Sequence, residues 1–495
     1  MLPLALACSR TAHLPVCTPG DACAPADPCR TGTVACEPQI ACLATDAGTR
    51  DGTACGTGRV CSAGACALCA EGSSCSPPAN PCHNGILSCT TGQPVCTDSN
   101  TPAADGSACG ADLLCAASAC APGDGKDGAV VYSGTAPLEP ARTTATGQAG
   151  ATLLLVASTA GFAAGQPLFI HQTQGANAGR WEEAQVALVQ NGTSLTLTAP
   201  LQHAYGAGAQ VLVERRFTDF TVPANVTLSA APWDGATGGI IAFKARGKVR
   251  IDGRISVAGA GFRGGQAQAS AADYAYNAQG ESTDGPGPAR DPGNFAAHGD
   301  GGGAGCGAGS GGGGGNGTPG EAGSFVPAAP AAACTSGCAG GPLGQGGTTA
   351  GRPDLSLAVP GGGGGASGSQ GGAGRDGAPG GGGGGLLFIH AGAIEVIGSI
   401  DASGTNGVGG YNGSTQPVAG GGGGAGGGIR LVAGSVHVIG PVTAVGGSGG
   451  APPVPSATGC APAGTGGAGG DGRIYLSGPD LQGSTTPAAA TGSTP

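Results

Sequence analysis

The chain has 495 residues, with 107 glycines and 37 prolines but only 3% aromatic and 10% charged residues. That composition excludes large helical cores, and the length accommodates three or four domains of all-β or irregular architecture. A formal net charge of −10, with lysine only at Lys126, Lys244 and Lys248, excludes nucleic acid and anionic membrane surfaces as partners; 21 cysteines exclude a reducing compartment unless metal holds them.

Residues 1–16 read as a signal remnant and tether. Met1-Leu-Pro-Leu-Ala-Leu-Ala7 places small residues before Cys8, which resembles the bacterial lipobox, although Ala5 stands where leucine is usual. The resemblance implies lipidation of Cys8, an outer-membrane address and membrane contact only through that lipid. The apolar stretch is short and lacks a basic leader, so a start further upstream is expected. Setting Cys8 aside leaves an even number of cysteines, all able to pair.

Residues 17–68 and 69–120 are a duplication. Cys17, Cys23, Cys29, Cys36, Cys42, Cys55, Cys61 and Cys66 follow intervals 6, 6, 7, 6, 13, 6, 5, and Cys69, Cys75, Cys82, Cys89, Cys96, Cys109, Cys115 and Cys120 follow 6, 7, 7, 7, 13, 6, 5. Asp27-Pro-Cys29 recurs as Asn80-Pro-Cys82. Neither module has apolar residues for a core, so four disulfides each, at roughly 2–4 kcal/mol apiece, must hold them. Spacing leaves the connectivity open. Zinc at Cys66-Ala-Leu-Cys69 is disfavoured, because that pair straddles the junction and lacks a second CxxC or a nearby histidine. The elements Asp51-Gly-Thr-Ala-Cys55-Gly56 and Asp105-Gly-Ser-Ala-Cys109-Gly110 resemble the cysteine-rich repeats of myxobacterial surface lipoproteins, some of them associated with gliding motility. This implies a cell-surface location.

After a polar hinge at 121–128, residues 129–237 read as a small β-barrel or sandwich. Strands are expected at Val130–Ser133, Thr152–Ala157, Pro167–His171, Ala184–Val189, Ser194–Thr198, Ala209–Val213, Asp219–Val222 and Val226–Ala230, separated by turns such as Asn191-Gly192. His171, Gln172, Gln174 and Trp181 are candidates to line a sugar site, with Trp181 as stacking platform. The competing reading is a hydrogen-bonded strand corner around a core tryptophan. The run Trp233–Gly239 is expected to cap the strand stack that begins at residue 238.

Residues 238–478 alternate short strands with glycine runs. Gly247–Gly259, Gly392–Gly404 and Gly434–Gly446 share the pattern G-x-β-x-β-x-G-x-β-x-small-x-G, where β is Ile or Val. This is two strands meeting at a glycine corner, and the three copies are expected to stack ~4.8 Å apart as β-helix-like coils. The predicted ladders are Val249/Ile394/Val436, Ile251/Val396/Val438, Ile255/Ile400/Val442 and Val257/Ala402/Ala444. A further strand precedes each copy, and Arg473–Leu476 is the same strand of a last, incomplete coil. Between coils, Gly361–Gly365, Gly380–Gly385 and Gly420–Gly428 are expected to order as polyglycine-II-type segments rather than linkers, because each returns to a strand in similar register. These runs and their flanking strands resemble the glycine-rich domains of phage tail-fibre adhesins and of anaplastic-lymphoma-type receptor kinases. That resemblance implies a compact polyglycine bundle and no ligand. Cys306, Cys334, Cys338 and Cys460 are expected to form two disulfides pinning the glycine-rich excursions. Residues 479–495, rich in Thr, Ala and Pro, read as a disordered tail.

No catalytic site is predicted. Gly446-Gly-Ser448-Gly-Gly450 fits a nucleophile elbow, but no helix follows, and His390 and His437 lie in strands without an argued partner. Gly466–Asp471 is a single copy of a calcium nonapeptide whose site needs tandem copies. No metal and no cofactor are predicted. The functional expectation is a non-enzymatic cell-surface lipoprotein with a structural or adhesive role towards a cell-envelope or extracellular polymer. The alternative is a polysaccharide lyase or hydrolase on the β-stack. A convergent group of acids with Arg or Lys on one face, around Arg250, Asp252, Arg254 and Asp401, would favour the enzyme.

Overall fold

A computed structural model describes residues 22–23, 29–35, 41–49, 54–56, 59–62, 65–68, 72–78, 80–88, 95–104, 107–110, 113–116, 118–134, 138–267, 278–288, 296–304, 309–324, 343–368, 377–411, 418–452 and 464–493. Cys8, Cys17, Cys36, Cys69, Cys89, Cys306, Cys334, Cys338 and Cys460 lie outside them. The chain divides into two compact units, Met1–Ala121 and Pro122–Pro495. Among the described residues every regular element is a strand.

In the first unit the cysteine duplication is a structural duplication. Each module is a pair of three-stranded sheets. The first module builds them from Ala22–Cys23, Arg30–Ala35 and Ala41–Thr49, then Ala54–Gly56, Arg59–Ser62 and Ala65–Leu68; the second from Ser74–Cys75, His83–Ser88 and Val95–Pro102, then Ala108–Gly110, Leu113–Ala116 and Ala119–Pro122. The third cysteine of each eight bonds the seventh, as Cys29–Cys61 and Cys82–Cys115, and the sixth bonds the eighth, as Cys55–Cys66 and Cys109–Cys120. These two bridges touch. The sulfurs of Cys29, Cys55 and Cys66, and likewise of Cys82, Cys109 and Cys120, lie within 4.8 Å of one another. Buried cystine with Leu87 serves where a larger domain would use aliphatic side chains.

The second cysteine bonds the fifth as Cys75–Cys96, across the central strand. A β-carbon on Gly85 would meet Cys96 Sγ at 2.5 Å, which is why the strand is glycine there. Cys75 stands opposite Gly85 and Cys96 opposite Leu87; in the first module Cys23 stands opposite Gly32 and Cys42 opposite Val34. The repeated register predicts a Cys23–Cys42 bridge. Peptide mapping without reduction should recover it with the five bonds above, and any other partner for Cys23 would contradict the duplication.

The second unit is a β-helix-like stack with a barrel inserted in its first coil. Its long sheet runs parallel through Ile240–Ile251, Leu386–Val396, Gly428–Val438 and Arg473–Ser477; a second parallel sheet joins Thr227–Ser229, Arg254–Ser256, Ser399–Asp401 and Val442–Thr443. The expected ladders are in register: Val249 faces Ile394 and Ile394 faces Val436, with Ile251/Val396/Val438 and Ile255/Ile400/Val442 alongside. Val257, Ala402 and Ala444 are buried in the same core. The corner glycines have a steric reason. A β-carbon on Gly398 would collide with the Gly253 carbonyl, and one on Gly440 with that of Gly398. The amides of Gly398 and Gly440 instead donate to Ile251 O and Val396 O of the coil before (2.8 and 2.9 Å).

Three expectations are corrected. The stack begins before residue 238: Arg215–Phe217 and Phe220–Val222 pair parallel with Ile240–Ile251, Thr227–Ser229 pairs with Arg254–Ser256, and Val130–Val131 pairs with Phe220–Val222. Phe217, Phe220, Val222 and Leu228 are buried with the ladder residues, so these strands belong to the coil and not to the barrel. The barrel proper is closed and six-stranded, in the order Arg142–Gly147, Leu153–Val156, Ser194–Leu197, Trp181–Gln190, Pro167–Gln172, Ala209–Val213. Second, Trp233 does not cap the stack; it packs sideways on Phe262 and Val359. Third, the tail is not free up to residue 493. Asp480–Gln482 pairs with Gly428–Val438 and Ala490–Gly492 with Arg473–Ser477, covering strand edges while Leu481 and Ala489 pack on the core.

The glycine runs are ordered and mostly buried. Successive amides from residue 422 donate to Gly365 O, Gly467 O, Thr405 O, Gly362 O, Gly470 O and Ala402 O. Residues three apart thus bond the same neighbouring segment. Residues 361–366 behave alike, donating to Gly384 O, Gly315 O, Glu281 O, Gly381 O, Gly312 O and Ala278 O. The main-chain groups of these runs, which no sheet ladder pairs, thus find their partners in neighbouring segments, with a bonding direction that repeats every three residues.

Candidate functional site

The sequence singled out His171, Gln172, Gln174 and Trp181, and the structure places all four in packed surroundings. His171 is fully buried on the strand Pro167–Gln172. Its Nε2–H donates to Ala358 O (2.9 Å), leaving Nδ1 to accept from the Thr173 hydroxyl (2.9 Å), which in turn accepts from Gln210 Nε2. Burial pushes the imidazole down to about 4, so it stays neutral. Gln172 Nε2 donates to Gln174 O and Ala207 O, and its Oε1 accepts from Gly206 N. The Trp181 ring stacks on Phe169 at 5.3 Å, meets Phe388 at 5.1 Å and carries the Arg430 guanidinium 5.4 Å from its centre, while Nε1 donates to Leu355 O. The packing favours the hydrogen-bonded corner: His171, Gln174 and Trp181 bond to residues of the glycine-rich region, Gln172 braces the barrel's own turns, and the Trp181 ring is already covered by protein.

The exposed charged strip on the stack is real. Arg250, Glu395 and His437 stand in register on consecutive coils. Lys248 and Arg250 pair with Glu395 (2.6 and 2.8 Å), Arg250 pairs with Asp252 (2.8 Å), Arg254 pairs with Asp401, and His437 pairs with Asp480 (2.8 Å). The hydrogen bond from Lys248, with Arg250 beside it, holds Glu395 below the usual carboxylate range, and His437 does the same to Asp480. Carboxyls held low are ionised at neutral pH and cannot serve there as general acids. Ser448, the nucleophile-elbow serine, is exposed in the glycine lattice, where its amide donates to Asn406 Oδ1.

A polar group that sequence reasoning missed lies where the barrel, the first coil and a glycine-rich excursion converge. Glu281 is buried and accepts five hydrogen bonds: from Arg263 N (3.0 Å), Nε (2.8 Å) and Nη2 (3.1 Å), from Trp233 Nε1 (3.1 Å) and from Gln174 Nε2 (3.0 Å). Immediately after it, two tight turns face each other, closed by the bridges Ser282–Gly285 and His298–Gly301. Thr283 donates its N–H and its hydroxyl to Asp300 Oδ1, both at 2.9 Å, and Ser282 Oγ contacts His298 Nδ1 at 3.1 Å. Asp300 is 1% exposed, and its Oδ2 has no hydrogen-bond partner. Burial, with the Asp284 carboxylate nearby, pushes the Asp300 carboxyl up to about 7. Asp284 is exposed, and its Oδ2 lies against the Gly299 backbone. Among the described residues no ion pair reaches either aspartate. The arrangement presents two carboxyls from facing turns, one buried and one open to solvent.

No family model matches the chain, and no curated protein matches it. Among solved structures it is similar to the Gp54 tailspike of Acinetobacter baumannii bacteriophage AP22, solved in complex with a capsular saccharide, at 10% identity and a TM-score of 0.14. The match covers 70% of this chain and 57% of the tailspike chain. A likeness at that score carries no argument, and the fold rests on the strand registers themselves.

Proposed function

We propose that the protein is a cell-surface lipoprotein, anchored at Cys8, whose polyglycine-II-type body gives a rigid structural or adhesive surface for an extracellular or envelope polymer. The observation that carries this reading is the three-residue bonding rotation of the glycine runs. A body held by main-chain bonds leaves a surface of Gly, Ala, Ser and Thr, which approaches a partner closely and loses little side-chain entropy on contact. Many weak contacts to a repeating polymer suit such a surface better than capture of one small molecule. The disulfides fit an oxidising, extracytoplasmic location. Gliding motility is one setting for such a surface.

A second reading, a polysaccharide lyase or hydrolase on the stack, has the exposed strip of Lys248, Arg250, Glu395 and His437 in its favour. Incubating the purified chain with a panel of acidic and neutral polysaccharides separates the two. The adhesive reading expects retention without new reducing or unsaturated ends. Release of oligosaccharides, lost in Glu395→Gln, would replace it with the enzyme. Membrane fractionation of cells expressing the chain and its Cys8→Ser variant, each behind an intact upstream leader, tests the anchor, which is wrong if both partition into the aqueous phase.

A further inference from the structure

We propose that Asp284 and Asp300, presented by the two facing turns, hold a hard divalent cation of the calcium class. The buried carboxylate supplies the first argument. Asp300 Oδ1 is saturated by Thr283, whereas Oδ2 is enclosed without a partner, and a buried polar oxygen is expensive to leave so. Charge supplies the second. Of the neighbouring cationic groups, Arg263 is committed to Glu281, and His298 directs Nδ1 at Ser282 Oγ. Among the described residues neither carboxylate has a counter-charge, and the exposed one is at the surface, where an ion can enter and keep several waters. Oxygen-only ligands on short, pinned turns suit calcium, which accepts irregular geometry and six to eight ligands, better than magnesium with its strict octahedron.

The test is thermal unfolding of the full chain in EDTA and in 10 mM calcium, at matched ionic strength and pH 8. With a dissociation constant of about 1 mM, as in extracellular modules, calcium should raise the midpoint by about 2–4 °C. Magnesium should do less. Asp300→Asn should abolish the shift, as should Asp284→Asn, an exposed change that spares the fold if the first does not. Calcium titration calorimetry on the same proteins gives the stoichiometry, expected to be one site lost in either variant. No calcium-dependent shift in the parent at pH 8, or an equal shift in the parent and Asp284→Asn, would overturn the site and leave Asp300 as a carboxylic acid held neutral by burial.

Discussion

One added methyl group at Gly363 is expected to destabilise the second unit by about 1–3 kcal/mol, the range for overpacking a rigid interior. Gly363 N donates to Glu281 O and its carbonyl accepts from Gly302 N, so the segment is fixed on two sides. A β-carbon there would collide with the Arg263 carbonyl, which is main chain and cannot rotate away. Gly206→Ala is the control: its β-carbon would meet nothing within 4 Å, and the change should be neutral or stabilise by up to about 1 kcal/mol through the unfolded chain. Trp181 and Trp233 are the only tryptophans in the chain, and both belong to this unit. Tryptophan fluorescence in urea therefore reports on it selectively. Equal midpoints for Gly363→Ala and Gly206→Ala would contradict close packing of the glycine runs.

Removal of one bridge should undo the second cysteine module. Cys82 and Cys115 are fully buried, and Leu87 is the large aliphatic side chain buried with them, so Cys82→Ala with Cys115→Ala deletes most of the core along with the cross-link. The loss is about 2–5 kcal/mol, comparable to the total stability of a domain this small. The Leu87 and Cys115 amides, bonded to Ser73 O and Ser107 O at 2.8 Å, should lose their protection from hydrogen exchange. Retained protection would mean that the bridges decorate a fold sustained by something else.

The ladders were legible because period two and a glycine corner leave one register in which Ile394 can face both Val249 and Val436. The boundary at residue 238 was not. Strands such as Asp219–Val222 look alike in a barrel and in a coil, and only the distant partner, Val249–Ile251, distinguishes them. Composition misread the tail for a related reason: Leu481 stands opposite Val436 and packs on the core, but among Thr, Ala and Pro a single leucine gives no pattern to announce a strand. His171 and its neighbours carried the chemistry of a binding site, but their hydrogen bonds are spent inside the protein, and sequence does not record burial. The group around Glu281 and Asp300 escaped because Gln174 is 107 residues from Glu281. Its one local signal was a pair of Asp-Gly turns, Asp284-Gly285 and Asp300-Gly301.

The central claim is that the glycine runs are a bonded lattice and not a set of linkers. Amide hydrogen exchange on 361–365, 380–385 and 420–428 measures this directly, since unbonded glycine amides exchange fast. A bonded lattice predicts protection of these runs comparable to that of the flanking strands Leu386–Val396 and Gly428–Val438, with both opening together. Exchange of the runs at the rate of an unstructured chain, beside protected strands, would contradict it.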